Sequence, residues 1–465
     1  GFKEKKSQNL LDALQNAKGS EYWRFLNSLG IEHVGEVASK TLSENFGSNF
    51  QEIQADTDIE TVIVARIGDM LGGLKGGIVN LVVKHIKKMV PAYDLPSAVS
   101  FKSILAEGLG KKPTQVNLTH DDIAFLQYTG GTTGVSKGAV LTHGNICAQL
   151  SQIDGWLTGL FKDGEAVVIT ALPLYHIFAL TANCITFFNY GARNVLITNP
   201  RDMPAFIKDL KKNPFSLITG VNTLFNGLLN QPAFRELDFS NLKISLGGGM
   251  AVQDAVALKW QEVTGSPLLE AYGLSETSPA ATINPTDGSH RMGTIGLPIP
   301  NTELKIFDDD KKEVPMGERG EIGIKGPQVM AGYWNRPEAT AECMHGDFFL
   351  TGDIGIMDED GFFKIVDRKK EMVCVSGFNV YPSEVEAVIS SHPKVLEVGV
   401  RSEPDPKTTE CVMAFVVKKD ESLTEDEIRD FCREKLTNYK VPKIVVFRDE
   451  LPKSNVGKIL RRMLK

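Results

Sequence analysis

The twelve residues Tyr128 to Ala139, YTGGTTGVSKGA, hold four glycines, three threonines, one serine and one lysine. Glycines let backbone N–H groups approach an anion, hydroxyls add donors, and Lys137 adds a mobile positive charge, a set suited to a polyphosphate. The spacing is not that of a P-loop kinase or ATPase, which needs Gly and Lys adjacent, because Ser136 stands before Lys137. The bland alternative is a flexible Gly/Ser/Thr linker. Linkers seldom sit between an apolar strand pattern, here IAFLQY, and a helix-like run such as the one that follows.

A phosphate loop needs a frame, and from about residue 190 the apolar periods alternate between strand and helix. NVLIT (194–198), FSLITGV (215–221), LKISLGGG (242–249) and LLEAYG (268–273) read as strands, separated by helical MPAFIKDLKK, NTLFNGLL and VQDAVALKWQEV. That alternation implies a largely parallel sheet covered on both faces. Ligands of such sheets bind beyond the carboxyl ends of the strands. The rule singles out Thr219 to Asn222, Gly247 to Met250 and Tyr272 to Glu276, which should lie side by side.

After residue 300 the pattern turns to short strands with hairpin chemistry, LKIFDDDKKEVPMGERGEIGIKG, as in a small β-rich subdomain. The charged stretch VDRKKE (366–371) then separates it from a compact α+β tail, and residues 367–371 form a candidate hinge. Within the tail, Ser383 with Glu386 and Thr424 with Glu427 fit capping boxes, so helices should start near 384 and 425; Leu423 and Ile428 add a hydrophobic staple to the second.

With 465 residues, 42% of them hydrophobic, the chain can build two or three domains. A net charge of −7 argues against a chain built chiefly to coat nucleic acid. The six scattered cysteines show no metal-ligand spacing and read as reduced thiols of a cytoplasmic protein. No signal peptide and no uninterrupted membrane span are visible. The segment IVNLVVKHIKKMV (78–90) places Ile78, Leu81, Val82, Ile86 and Met89 near one helical face, which reads as a half-buried surface helix in preference to a membrane-contacting one.

The loop resembles the phosphate loop of the adenylate-forming (AMP-binding) superfamily. Further matches follow in that family's order: LPLYHIFAL (172–180), GGGM (247–250), YGLSE (272–276), TGD (351–353), VDRKKE (366–371), SGFNVYPSEVE (376–386) and PKSNVGKILRR (452–462). Within the superfamily, TNPRDMPAFIKDL, ITGVNTLFN and SGFNVYP are similar to bacterial long-chain fatty-acid:CoA ligases. The resemblance runs from about residue 57 to the end. It implies an α/β fold with a large domain of layered sheets and a small β subdomain (57–367), followed by a mobile α+β C-terminal lid (368–465).

The same resemblance implies chemistry. A long-chain fatty acid would be activated by ATP to an acyl-adenylate with release of pyrophosphate, and coenzyme A would then displace AMP, with Mg2+ as cofactor. Tyr128, Thr129, Gly130, Gly131, Thr132, Thr133, Gly134, Val135, Ser136, Lys137, Gly138 and Ala139 would bind phosphate. Gly247, Gly248 and Gly249 would leave room for base and acyl group beside Tyr272, which would stack on adenine, with Gly273 next to it. Ser275, where most of the family has Thr, would donate to the α-phosphate, and Glu276 would be the magnesium ligand. Asp353 would hold the ribose hydroxyls with help from Arg368. His176 would sit by the fatty carboxylate, residues 219–223 would line the acyl tunnel, and Lys458 would bridge carboxylate and α-phosphate. Lys370 would be the hinge about which the tail turns to bring in Gly377 for the thioester step. The cysteine usage points to a cytoplasmic location, with peripheral contact with the inner membrane and an oligomer both left open.

Residues 1 to about 55 resemble part of the helix-hairpin-helix region of NAD-dependent DNA ligases, a short all-α segment (1–56) around LGIEHVG. Helix packing without a ligand is the alternative, and one hairpin offers few phosphate contacts for DNA binding. The KxDG motif of DNA ligation is missing from the sequence. Only residues 57 to about 127 precede the phosphate loop, so much of the usual first subdomain is expected to be absent, leaving exposed strand edges. The competing functional reading is therefore a catalytically impaired fusion that binds DNA non-specifically.

Overall fold

The computed structural model describes residues 58–90, 93, 95–129, 136–454 and 457–465. The helix-hairpin-helix reading of 1–56 lies outside them. Contacts divide the chain into two units that meet between Asn117 and Leu118. In the first, β1 (Ile63–Val64) and β2 (Val99–Ser100) pair in parallel, with helix α1 (Gly73–Leu81) between them in sequence and α2 (Phe101–Gly108) after β2. The helix expected over 78–90 ends as such at Leu81 and passes into a π-helical turn, Val82–Ile86. Ile78, Leu81, Ile86 and Met89 are exposed and not half-buried. The β-branched pair Val82-Val83 disfavours a tight α-turn, and Lys88 in the left-handed region ends the element. Among the described residues no helix is long and apolar enough to cross a membrane.

The second unit opens with β3 (Ile123–Thr129), which pairs antiparallel with β4 (Lys137–Thr142). The run after the glycine-rich loop is thus a strand, not a helix. Ala139 and Leu141 are buried on alternate positions, the period of a pleat, and α3 (His143–Trp156) begins only behind the capping box of Thr142 and Asn145. Among the described residues β3 pairs with β4 alone, and Ile123, Leu126 and Tyr128 are exposed along it.

Next comes the alternating region: β5 (Val167–Thr170), β6 (Arg193–Leu196), α4 (Met203–Lys212), β7 (Leu217–Gly220), α5 (Asn222–Leu229), β8 (Ile244–Gly247), α6 (Asp254–Thr264) and β9 (Leu268–Gly273). The strands from β5 to β9 are parallel, and two antiparallel strands, β10 (Ala280–Ile283) and β11 (Leu297–Pro298), complete a seven-stranded sheet ordered β11-β10-β9-β8-β7-β5-β6. All four residues of β7 are buried, as a central parallel strand covered on both faces requires. Helix α4 starts at Asp202, whose carboxylate accepts the Ala205 N–H at 3.2 Å, and buries Phe206, Ile207 and Leu210 at helical spacing. Trp260, Phe225 and Phe234 form the centre of this core, with Phe225 and Trp260 edge to face at 4.8 Å.

The small β subdomain is antiparallel: β12 (Glu303–Phe307), β13 (Gly320–Lys325), β15 (Met344–His345), β16 (Phe348–Met357) and β17 (Phe363–Arg368), while β14 (Gly332–Tyr333) leaves it to pair with β4. The tail has its own sheet of β18 (Val373–Val375), β19 (Phe378–Val380), β20 (Val395–Asp405), β21 (Thr409–Lys418) and β22 (Ile444–Arg448), packed on α7 (Pro382–Ser390) and α8 (Glu425–Arg433) around Val385, Ile389, Val416 and Ile428.

The two expected helix starts fare differently. Thr424 and Glu427 form a full capping box on α8. Helix α7 starts at Tyr381 with Pro382 in its first turn and no side-chain cap. The Ser383 N–H instead donates to Asp367 Oδ2 at 2.7 Å, and Glu386 accepts from Arg461 and from the Val400 N–H. A proline at the first helical position supplies the required φ without a cap, which releases both polar side chains for other partners.

Candidate active site

Strands β7, β8 and β9 are neighbours, so the three stretches beyond their ends do stand side by side. Gly248 N donates to Gly220 O at 3.1 Å, and Gln253 N donates to Asn222 Oδ1 at 3.0 Å, tying the Gly247–Gly249 turn to the end of β7. From the other side the Glu270 carboxylate accepts the Val252 N–H at 3.0 Å. Burial pushes this carboxyl up to about 7, aided by the Asp254 charge and opposed by the backbone N–H donors. Gly273 is required by contact: a Cβ there would lie 1.7 Å from the Pro279 carbonyl oxygen.

At the end of β9 the Tyr272 hydroxyl donates to Asp353 Oδ2 at 2.7 Å, and Arg368 Nε meets Asp353 Oδ1 at 3.0 Å. Asp353 and Arg368 face each other across the β16–β17 pair. Burial and the neighbouring carboxylate push the Tyr272 phenol upward, and the Asp353 charge pushes the Arg368 guanidinium up. A second group surrounds Glu276, which is buried on the 3-10 turn Ser275–Thr277. The Tyr333 hydroxyl donates to Glu276 Oε1 at 2.7 Å, and the Lys137 ammonium lies 4.9 Å from the Tyr333 ring centroid. Pairing of β14 with β4 brings Tyr333 opposite Ala139 and so beside the end of the glycine-rich loop. Of that loop, residues 130–135 lie outside the described ones. Its flanks close a hairpin, with Ser136 Oγ donating to Thr129 O at 2.6 Å, and the Tyr128 ring lies against Gly138.

The tail supplies the third group. Thr223 Oγ1 donates to Gly457 O at 3.1 Å, and Lys458 N donates to Ser454 Oγ at 3.1 Å, which seats the Lys458 turn against the start of α5. Burial and the Arg368 charge push the Lys458 ammonium down, while Asp353 and Glu371 pull it up; burial and the Lys458 charge push His176 down. Lys458 therefore lies within electrostatic reach of both the Asp353–Arg368 pair and His176. His176 is held by a loop whose Tyr175 carbonyl accepts from Gln127 at 3.0 Å. Lys370 is exposed in the turn after β17, and Gly377 sits with Ser376 in an exposed turn between β18 and β19, both at positive φ (85° and 51°). Neither makes any of the contacts just described.

Such an arrangement sets the cationic groups of Lys137, Arg368 and Lys458 among the hydroxyls of Tyr272 and Tyr333 and the carboxylates of Asp353 and Glu276, a set able to bind an anionic phosphate ester. The pattern common to AMP-binding enzymes matches residues 47–334. The chain belongs to that family. The C-terminal domain of AMP-binding enzymes matches residues 384–458. The chain is 55% identical to a long-chain-fatty-acid–CoA ligase of Escherichia coli strain CFT073 over 421 residues, covering 90% of this chain and 75% of the relative. It is 50% identical to the corresponding ligase of Haemophilus influenzae over 440 residues, 94% and 78% of the two chains. Among solved structures, ATP-bound MatB from Rhodopseudomonas palustris superposes with a TM-score of 0.73 at 26% identity, over 97% of this chain and 91% of MatB. o-Succinylbenzoate CoA synthetase from Bacillus subtilis, in complex with its acyl-adenylate intermediate, does so at 0.70 and 27%, over 90% and 81%. The fold is thus the α/β fold of the adenylate-forming enzymes.

Some residues of the site escaped sequence reasoning. Tyr333, in AGYWN, lies in none of the motifs quoted above. Glu270 stood inside a strand pattern, and Asp367 and Arg461 were read only as parts of motifs whose other members carried the chemistry.

Proposed function

We propose that this chain is an AMP-forming acid–thiol ligase that activates long-chain fatty acids with ATP and transfers them to coenzyme A. The observation that carries the reading is the convergence of Tyr272, Asp353, Arg368 and Lys458 at the carboxyl ends of β7 to β9, in a chain whose relatives at 50 to 55% identity are long-chain-fatty-acid–CoA ligases. In the first step a fatty carboxylate oxygen bonds to the α-phosphorus of ATP and pyrophosphate leaves; in the second the thiol sulfur bonds to the acyl carbon and AMP leaves. Asp353, with Tyr272 and Arg368 orienting it, would accept from the ribose hydroxyls. Tyr128 to Ala139 would wrap the phosphates, and Ser275 would donate to the α-phosphate. Lys458, its ammonium partly stripped of water, would face the carboxylate and the α-phosphate together, with His176 on the acyl side. Gly247 to Gly249 and Gly273 would leave the base and acyl group room.

Magnesium fits the donor set: Glu276 is a buried carboxylate held by Tyr333 beside the phosphate loop, and Mg2+ takes one or two protein carboxylates plus phosphate oxygens and water. When bound it would neutralise charge on the polyphosphate. The division we use sets the large domain at 57–367 and the lid at 368–465, with Lys370 in the connecting turn and Gly377 on the lid face that would enter for the thioester step. The test is ATP–pyrophosphate exchange with a panel of fatty acids from short to long chains. Exchange driven by long chains is expected. Exchange with none of them would overturn the reading.

A further inference from the structure

The chain leaves one hydrophobic core and enters another within a few residues. Strand β17 belongs to the sheet packed around Ile306, Ile322 and Phe363, whereas β18 belongs to the tail core around Val373 and Val380, with the exposed Lys369 and Lys370 between them. Arg461 lies just beyond this crossing, three residues after Lys458. Its Nε and Nη2 donate to the two oxygens of Glu386 at 2.9 and 2.6 Å, Nη2 donates to Ser383 Oγ at 2.8 Å, and Nη1 donates to Asp367 Oδ1 at 3.0 Å and also to Glu371. Glu386, Ser383 and Glu371 follow Lys370 in the chain. Asp367 precedes it.

If the tail turns about Lys370, the bonds of Arg461 to Glu386 and Ser383 travel with it as one body. Two bonds of Asp367 cross the hinge and cannot, Arg461 Nη1 to Oδ1 and Ser383 N to Oδ2 at 2.7 Å, whereas the Arg368 N–H to Oδ1 stays on its own side. Other contacts also cross, Thr223 with Gly457 and the Arg319 guanidinium over the Tyr381 ring at 5.3 Å. Asp367 is the most buried of these groups, its side chain 1% exposed. Charge-assisted hydrogen bonds at such a site are short, directional and shielded from salt. Arg461 keeps Glu386 and Glu371 when Asp367 lets go, so release does not strand its charge.

We propose that Asp367 is a latch: a positioning residue whose carboxylate holds the tail, through Arg461 and the Ser383 amide, in the arrangement that seats Lys458 at the site, and which must release both before the tail turns. This rests on the two-step reading above. It assigns Asp367 to the first half-reaction and makes it dispensable for the second.

Both half-reactions of the wild-type protein are measured first, ATP–pyrophosphate exchange with a long-chain fatty acid and thioester formation from supplied acyl-adenylate and coenzyme A. Silence in both overturns the two-step reading itself, and the latch with it. In Asp367→Asn, exchange should then fall by about tenfold or more while thioester formation stays within about twofold of wild type or rises. An equal fall in both, or no change in either, overturns the latch alone. Hydrogen exchange on the wild-type protein tests it without a variant. The Ser383 amide should be protected with ATP and fatty acid present, and should exchange faster once acyl-adenylate and coenzyme A are both bound. Equal protection in the two states refutes the proposal.

Discussion

At the scale of single residues, two buried carboxylates illustrate how the site is set. Glu270 anchors the turn after β8 through the Val252 N–H, and its carboxyl is pushed up to about 7. A raised carboxyl favours the neutral form in the folded state. Its contribution to stability is therefore complete below the ordinary carboxyl range near 4.5 and is lost as pH rises through about 7. Glu270→Gln lacks that titration, so the stability of wild type relative to the variant should fall by roughly 3 kcal/mol between pH 4.5 and 8 in denaturant unfolding. Parallel pH curves would refute it. The Tyr333 hydroxyl donates to Glu276, the kind of outer partner that would orient this carboxylate in the magnesium-ligating role proposed above. Tyr333→Phe keeps the ring beside Lys137 and removes the donor. It should raise the magnesium concentration for half-maximal pyrophosphate exchange on the order of tenfold, and an unchanged magnesium curve would remove Tyr333 from this role. Sequence reading placed Glu276 in a motif, but a phenol 57 residues away in the chain carries no sign of its partner.

At the scale of elements, local chemistry was legible where it was the only chemistry acting. The helix α5, read as NTLFNGLL, occupies Asn222–Leu229, and the capping box at Thr424 closes α8. Thr424→Ala should therefore cost the protein about 1 kcal/mol in unfolding free energy, and no loss would show that the cap is not what starts α8. The box at Ser383 failed because tertiary partners took both of its side chains, Arg461 for each. The run after Lys137 was misread as helical because Gly138, Ala139, Val140 and Leu141 fit either period over so few residues. Pairing with both β3 and β14 decided it as a strand.

At the scale of the whole molecule, the cores are separate: Trp260 and Phe225 lie in one and Val416 and Ile389 in another, the latter entered through the turn that follows β17. Ile389→Ala removes a fully buried side chain from the tail and should destabilise it by about 2–5 kcal/mol. Faster hydrogen exchange should then be confined to residues 368–465, leaving the amides of β5 to β9 as protected as in wild type; faster exchange spread evenly over both would mean one cooperative core. The sequence by itself determined the alternation of strands and helices, the three stretches beyond β7, β8 and β9, the separate tail and the ordered motifs. Each of these is written in periodicity or in short-range residue spacing. Only the tertiary structure decided that Tyr272 meets Asp353, that Tyr333 holds Glu276, that burial raises the Glu270 carboxyl beneath the glycine turn and that one arginine ties Asp367 to the tail. Those contacts join residues tens of positions apart, and their strength comes from burial, which no local pattern specifies.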